Sequence, residues 1–212
     1  RDAQLAISKA VYTNTTARFI DTSNTENLNA LVAEHDIVIS MLPAHLHIPV
    51  AVCCLHHKKN MVTASYLSED MKAMNEAVKQ AGLIFLNEVG LDPGLDHLTA
   101  MKIIDHIKSE GHTIREFESF TGGLVAPEDD DNPWHYKFTW NPRNVVVAGQ
   151  GGAVKFLQEG QYKYIPYHKV FRRTEIIDIA GYGKFEGYAN RDSLKYIETY
   201  NLQDIKTMFR GT

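Results

Sequence analysis

Cysteine is scarce: Cys53 and Cys54 are the only two in 212 residues. Adjacent cysteines in a helical pattern read as packed thiols, which argues against a disulfide-built secreted domain and for a reducing, cytoplasmic setting. Positive charge is not in excess either. Lys and Arg number 22 against 26 Asp and Glu, a net charge of −4. That balance favours neither nucleic acid nor an anionic membrane as partner. Long apolar runs are also missing. The longest stretch, residues 36–55, is interrupted by Pro43, His45, His47 and Pro49, so it is no membrane span.

Metal-ligand spacing is absent too. Ten histidines are present, but none stands in H-E-x-x-H or in a Cys/His quartet. The acidic run at 128–132, "EDDDN", lacks the spacing and the glycine of a calcium loop. No metal is expected. A last absence concerns glycine. No G-x-G-x-x-G follows a strand and opens a helix, and "GQGGAV" at 149–154 lies far downstream. A dinucleotide fold here would have its first βα unit upstream of Arg1. Arg1 would then follow the second strand, where an arginine can meet a ribose 2′-phosphate. Residue 1 is not methionine, and the end, "MFRGT", shows no closing element; no signal peptide is expected before it. The expectation is a segment of a longer protein.

What is present alternates. Residues 2–11 have helical spacing, and "ARFID" at 17–21 reads as a short strand. A helix follows, capped by Asn24 or Thr25. "DIVISML" at 36–42 is a β-branched apolar run, as a parallel strand buried on both faces would be. Then come a helix at 47–59, a strand at 60–65, a helix at 68–82 closed by Gly82, and a strand at 83–89. This is the pattern of βαβ units and a parallel sheet. Ligands of such sheets bind beyond the carboxyl ends of the strands, here "SMLPAH", "TASY" and "NEVGLDPG".

The texture changes after residue 93. A long amphipathic helix at 95–111 ends at Gly111, and 112–124 alternates as an antiparallel strand would. An acidic loop at 126–134, an aromatic stretch at 135–140 and a helix-like 142–149 follow. Strand-like segments at 152–160, 175–183 and 185–191 precede a helix at 192–202. The charged "HKVFRR" at 168–173 reads as a solvated helix face. The fold class is therefore α/β: a partial Rossmann-type parallel sheet, first βα unit absent, plus an α+β substrate domain with a mainly antiparallel sheet. The boundary falls between 1–93 and 94–212.

The order of "VISMLP", "MVTASY", "NEVGLDPGLDH", "GGLVAPEDDDNPWHYKFTW", "YANRDSLKY" and "FRGT" resembles that of the saccharopine dehydrogenase (L-glutamate-forming; saccharopine reductase) family, over nearly the whole chain. Two departures stand out: Thr121 replaces a family cysteine and Val125 a proline, so a thiol role there is lost. The resemblance implies an NAD(P)-dependent oxidoreductase of lysine metabolism. It would interconvert saccharopine with L-glutamate and 2-aminoadipate 6-semialdehyde by hydride transfer at a C–N bond. The partner would be that small molecule, with a homodimer left open.

Residue by residue, the resemblance puts Ser65, Tyr66, Arg191 and Thr212 on substrate, and Leu91, Asp92, Pro93 and Asn141 on NAD or NADP. Asn141 stands where relatives have serine. Saccharopine carries three carboxylates, and an arginine fork suits a carboxylate through two parallel hydrogen bonds. Asp92 is the catalytic candidate, as a base or by positioning. Each residue has a plainer reading. Arg191 could be a surface partner of Asp192, Ser65 a helix N-cap, Tyr66 a packing residue, and Asp92 an Asx-turn residue before Pro93. Leu42 and Pro43 could flank a nicotinamide or pack in the core. Glu88, Asp96 and His97 could support the site from behind or simply start a helix. Arg210 is a weaker substrate-site candidate, its plainer reading an exposed tail residue. Two rival functions remain: a carboxynorspermidine-type dehydrogenase, which would need acids where Arg191 stands, and a non-catalytic Rossmann-like scaffold.

Overall fold

Asn24 caps the helix Thr25–Ala33. Its side chain accepts the backbone N–H of Asn27 at 3.1 Å, satisfying one donor that a helix start leaves unpaired. This computed structural model describes Ser8, residues 14–138, residues 142–143 and residues 152–212. Arg1, Asn141, residues 149–151 and, apart from Ser8, Pro142 and Arg143, the helical readings at 2–11 and 142–149 lie outside the described residues. The chain divides into two units, Arg1–Leu95 and Asp96–Thr212.

In the first unit, helix α1 (Thr25–Ala33) precedes strand β1 (Ile37–Ser40). Helix α2 (His47–His56) leads to β2 (Asn60–Thr63). Helices α3 (Glu69–Ala73) and α4 (Asn75–Gln80) lead to β3 (Phe85–Leu86). The three strands are parallel in the order β1-β2-β3, with Ile37 opposite Asn60 and Met61 opposite Phe85. Leu28, Val32, Val50, Cys54, Met61 and Met71 build the core. Burying each such side chain contributes roughly 1.5–3 kcal/mol.

Several expectations need correction here. Residues 17–21 form no strand. Ile20 packs on the core, but no ladder runs beside it, and Asp21 instead accepts the N–H and hydroxyl of Ser23 in a turn. Strand β1 is not buried on both faces. Successive side chains point to opposite sides. Val38 packs on the core while Ile37 and Ile39 are 52% and 66% exposed. The 68–82 helix breaks at Met74, whose N–H turns to Met71 O at 3.2 Å, a three-residue step that interrupts the α ladder.

The second unit opens with α5 (Leu95–Ser109), followed by β4 (Glu116–Phe120), β5 (Val154–Gln158) and β6 (Gln161–Ile165). A hairpin of β7 (Thr174–Ile179) and β8 (Gly183–Tyr188) precedes the short helix α6 (Lys195–Thr199) and β9 (Thr207–Gly211). The main sheet has the order β4-β9-β5-β6. Pairing of β5 with β6, β5 with β9 and β7 with β8 is antiparallel, and β4 with β9 is parallel. Parallel β4 is therefore a departure from the sequence reading. So is β9, which gives the second unit a central strand where no closing element was expected. Residues 168–173 fall mostly within a 3-10 helix, Tyr167–Arg172. Ala100 and Ile104 of α5 pack with Leu157, Tyr196, Tyr200 and Met208.

Candidate functional site

The carboxyl ends of β1, β2 and β3 carry Ser40, Ser65, Tyr66, Glu88 and Asp92. Beyond β2 the chain leaves the ladder at Thr63 and presents Ser65 and Tyr66. Beyond β3, Glu88 adopts a left-handed backbone, φ +60°, which turns the chain back onto β2. Its N–H donates to Ser65 O at 3.1 Å, and Val89 N–H donates to Thr63 O at 3.3 Å. The Glu88 carboxylate then accepts Leu67 N–H at 3.0 Å. The two strand ends are thus stitched together by backbone and side chain.

The turn that follows closes on itself. Gly90 N–H donates to Pro93 O at 2.8 Å, and Leu95 N–H donates to Gly90 O at 3.0 Å. The Asp92–Pro93 peptide is cis. Gly94 has φ +151°, and a Cβ there would lie 2.1 Å from Gly90 O, so only glycine fits. This closure sets Asp92 beside Tyr66, whose hydroxyl donates to Asp92 Oδ1 at 3.2 Å. Tyr66 is 40% exposed and Leu91 66% exposed. Pro93 is buried. The plain cap reading of Ser65 passes to Ser68, which accepts Met71 N–H at the start of α3. Leu42 packs against the core, which favours its packing reading. Pro43 precedes a 3-10 turn, Ala44–Leu46.

Sequence reasoning missed His47. It is buried between Ser40 Oγ at 2.8 Å and Ser65 Oγ at 2.7 Å. Burial, and then neighbouring His45, push its pKa down. The available signal was its place among the strand-end residues, hidden by nine other histidines.

In the second unit, Arg191 is exposed with φ +50°, and its carbonyl accepts Lys155 N–H at 2.9 Å. Asp192 is engaged elsewhere: it accepts Leu194 N–H at 3.0 Å and lies 3.5 Å from Lys155 Nζ. Thr212 exchanges both backbone hydrogen bonds with Tyr188 at 2.9 Å. Asn190 N–H donates to Arg210 O, so the ribbon carrying Arg191 and the one carrying Thr212 run side by side. Arg210 is no exposed tail. Its guanidinium reaches Asp96 and lies 4.3 Å over the Tyr196 ring, because β9 carries it into the sheet. His97 stacks on Tyr196 and lies 2.6 Å from the Tyr200 hydroxyl through Nδ1. Asp96 and His97 belong to this network and to the first turn of α5. Asn141 lies outside the described residues. Among the described residues no three His, Cys, Asp or Glu side chains cluster as metal ligands, and no helix is long and apolar enough to cross a membrane.

Comparison with known proteins adds the following. Residues 1–86 match the family described as saccharopine dehydrogenase NADP binding domain, and residues 90–212 the one described as saccharopine dehydrogenase C-terminal domain. The chain is 42% identical over 187 residues to the mitochondrial alpha-aminoadipic semialdehyde synthase of Bos taurus, covering 88% of this chain and 20% of that protein. It is 38% identical over 193 residues to the NADP(+), L-glutamate-forming saccharopine dehydrogenase of Pyricularia oryzae, covering 91% and 43%. The apo structure of the L-Glu-forming saccharopine dehydrogenase from Saccharomyces cerevisiae superposes with a TM-score of 0.85 at 34% identity, over 93% of this chain and 44% of that one. The chain thus spans less than half the length of each of these relatives.

Proposed function

The chain belongs to the saccharopine dehydrogenase family, and from that premise we propose that it serves L-glutamate-forming oxidation of saccharopine with NADP or NAD. The observation that carries the proposal is the pairing of Tyr66 with Asp92 at the carboxyl end of a parallel sheet, where such folds take their ligands. The residues present suit a nicotinamide. Leu91 offers an exposed apolar side chain directly beside the polar Asp92. Leu91, Asp92 and Pro93 would hold the dinucleotide, together with Asn141. When bound, it supplies the hydride acceptor; NADP is the form named for the matching nucleotide domain.

The reaction is the loss of hydride from the carbon beside the secondary amine, with loss of the nitrogen proton, giving an imine. Water then splits the imine into L-glutamate and 2-aminoadipate 6-semialdehyde, with one proton released overall. This chain's residues have two tasks. One is to hold three carboxylates so that a single C–H bond is aligned, and such positioning lowers a barrier by several kcal/mol. Ser65, Tyr66, Arg191 and Thr212 take that task, with Arg191 as the two-pronged partner. The other is the proton at nitrogen. Asp92, whose carboxylate accepts the Tyr66 hydroxyl, would receive it or orient the water.

Two free, buried thiols suit a reducing compartment. We propose the cytoplasm, and cell fractionation separates it from the mitochondrion named for the bovine relative. The division into a nucleotide part, residues 1–93, and a substrate part, residues 94–212, is likewise proposed. The test of function is saccharopine-dependent reduction of NADP by the full-length polypeptide, with carboxynorspermidine as competitor. Turnover of saccharopine alone is expected; preference for carboxynorspermidine, or no turnover of either, would overturn the reading.

A further inference from the structure

His47 lies in the first turn of α2 with 5% of its surface exposed, and its ring is held on both sides. Nδ1 is 2.8 Å from Ser40 Oγ at the end of β1. Nε2 is 2.7 Å from Ser65 Oγ, just past the end of β2. Thr63 Oγ1 is farther, 3.4 Å from Nε2, and already accepts Ser65 N–H at 3.2 Å. A neutral imidazole donates from one nitrogen and accepts at the other. The ring is neutral at neutral pH, because burial disfavours its charged form.

Ser40 decides the tautomer. It is 3% exposed. Among the described residues its hydroxyl meets no hydrogen-bond partner but His47 Nδ1. A buried O–H with nothing to donate to is more costly than an oxygen lone pair left idle. Thr63 is buried as well, 2% exposed, but its hydroxyl lies 3.4 Å from Nε2 against 2.8 Å for Ser40 from Nδ1. The shorter and stronger contact sets the ring, and Ser40 donates to Nδ1. The ring proton sits on Nε2, and Nε2–H donates to Ser65 Oγ. The Ser65 proton is then turned away from the ring.

We propose that His47 is a positioning residue that fixes the Ser65 hydroxyl as a hydrogen-bond donor toward a carboxylate of the substrate. The inference rests on the function proposed above and adds the polarity of one contact. Had the ring the opposite tautomer, the Ser65 proton would point inward to Nε2. Ser65 would then offer lone pairs to an anion, which is repulsive, and would suit an ammonium instead. The Ser40–His47–Ser65 chain is in this way a selector of anionic over cationic substrate ends.

Two measurements test it. Long-range ¹H–¹⁵N NMR of the wild-type full-length polypeptide, labelled at histidine, reads the tautomer without any mutation. A bare Nδ1 and a protonated Nε2 are expected at His47; a protonated Nδ1 overturns the proposal whatever the activity. Steady-state kinetics of Ser40→Ala and Ser65→Ala should show KM for saccharopine rising about tenfold, more than kcat falls, with KM for NADP little changed. Ser40→Thr, which keeps the hydroxyl, should restore KM. An unchanged KM for saccharopine in Ser65→Ala overturns the donor role even if the tautomer is as expected. Absence of saccharopine turnover in the wild type overturns the proposed function, and the carboxylate assignment with it.

Discussion

The Arg210 guanidinium meets the Asp96 carboxylate at 2.5 Å, with side-chain exposures of 12% and 5%. A pair this buried differs from the surface contact of Lys155 with Asp192, whose side chains are 44% and 41% exposed. Removing one partner takes this short contact from a charge held in a low-dielectric site. Arg210→Met should therefore lower stability by about 3–5 kcal/mol. The double variant Asp96→Asn, Arg210→Met should lose less than the sum of its parts. Urea unfolding midpoints of the three variants check both statements. Additive losses would show that the pair is not coupled.

The turn at 90–94 makes a sharper claim about one position. Gly94→Ala would drive a Cβ into the Gly90 carbonyl and hold alanine at φ +151°. The backbone region alone costs about 1–3 kcal/mol, and the overlap adds to it. Gly122 meets nothing within 4 Å, so Gly122→Ala should stay within about 0.5 kcal/mol of wild type. Thermal unfolding of the two variants gives the contrast.

The cysteines should be silent. Burial, and then the neighbouring Cys53 thiol, push Cys54 up to about 11, and burial raises Cys53 as well. Little reactive thiolate is present near neutral pH. A thiol reagent should react slowly with the native protein and label both residues at once in denaturant. Fast native labelling would place them outside the core.

His47 gives stability a pH dependence with a definite sign. Its folded pKa lies below the ordinary value of 6.5. As pH falls through about 6.5, the unfolded chain takes up the proton first. Stability from this group is therefore level above that pH and declines below it, toward the folded pKa. His47→Gln should remove that part of the slope. The difference between wild-type and variant unfolding free energies, followed from about pH 7.5 down to about pH 5, reads it directly.

Much of this fold could be read in the residues. Asn24 is the cap because its short oxygen reaches Asn27 N–H, and the apolar periodicity of 95–109 gave α5 its length. Gly82 and Gly111 end their helices with φ +69° and +79°, where other residues are strained. What could not be read depended on distant partners. β9 is a strand because β4 and β5 lie on either side of it. Residues 17–21 are not, because no ladder forms beside them. The same logic governs the site. Tyr66 and Asp92 stood out because they follow strand ends and because the family resemblance marked them. His47 did not, because its meaning comes from Ser40, seven residues before it, and Ser65, eighteen after. Arg210 was misread because its partner, Asp96, is 114 residues away.

The most direct test concerns Arg191. If it is the carboxylate fork, Arg191→Ala in the full-length polypeptide should raise KM for saccharopine by at least about tenfold. KM for NADP should stay within about twofold. Equal changes in both constants, or none in the first, would contradict the account.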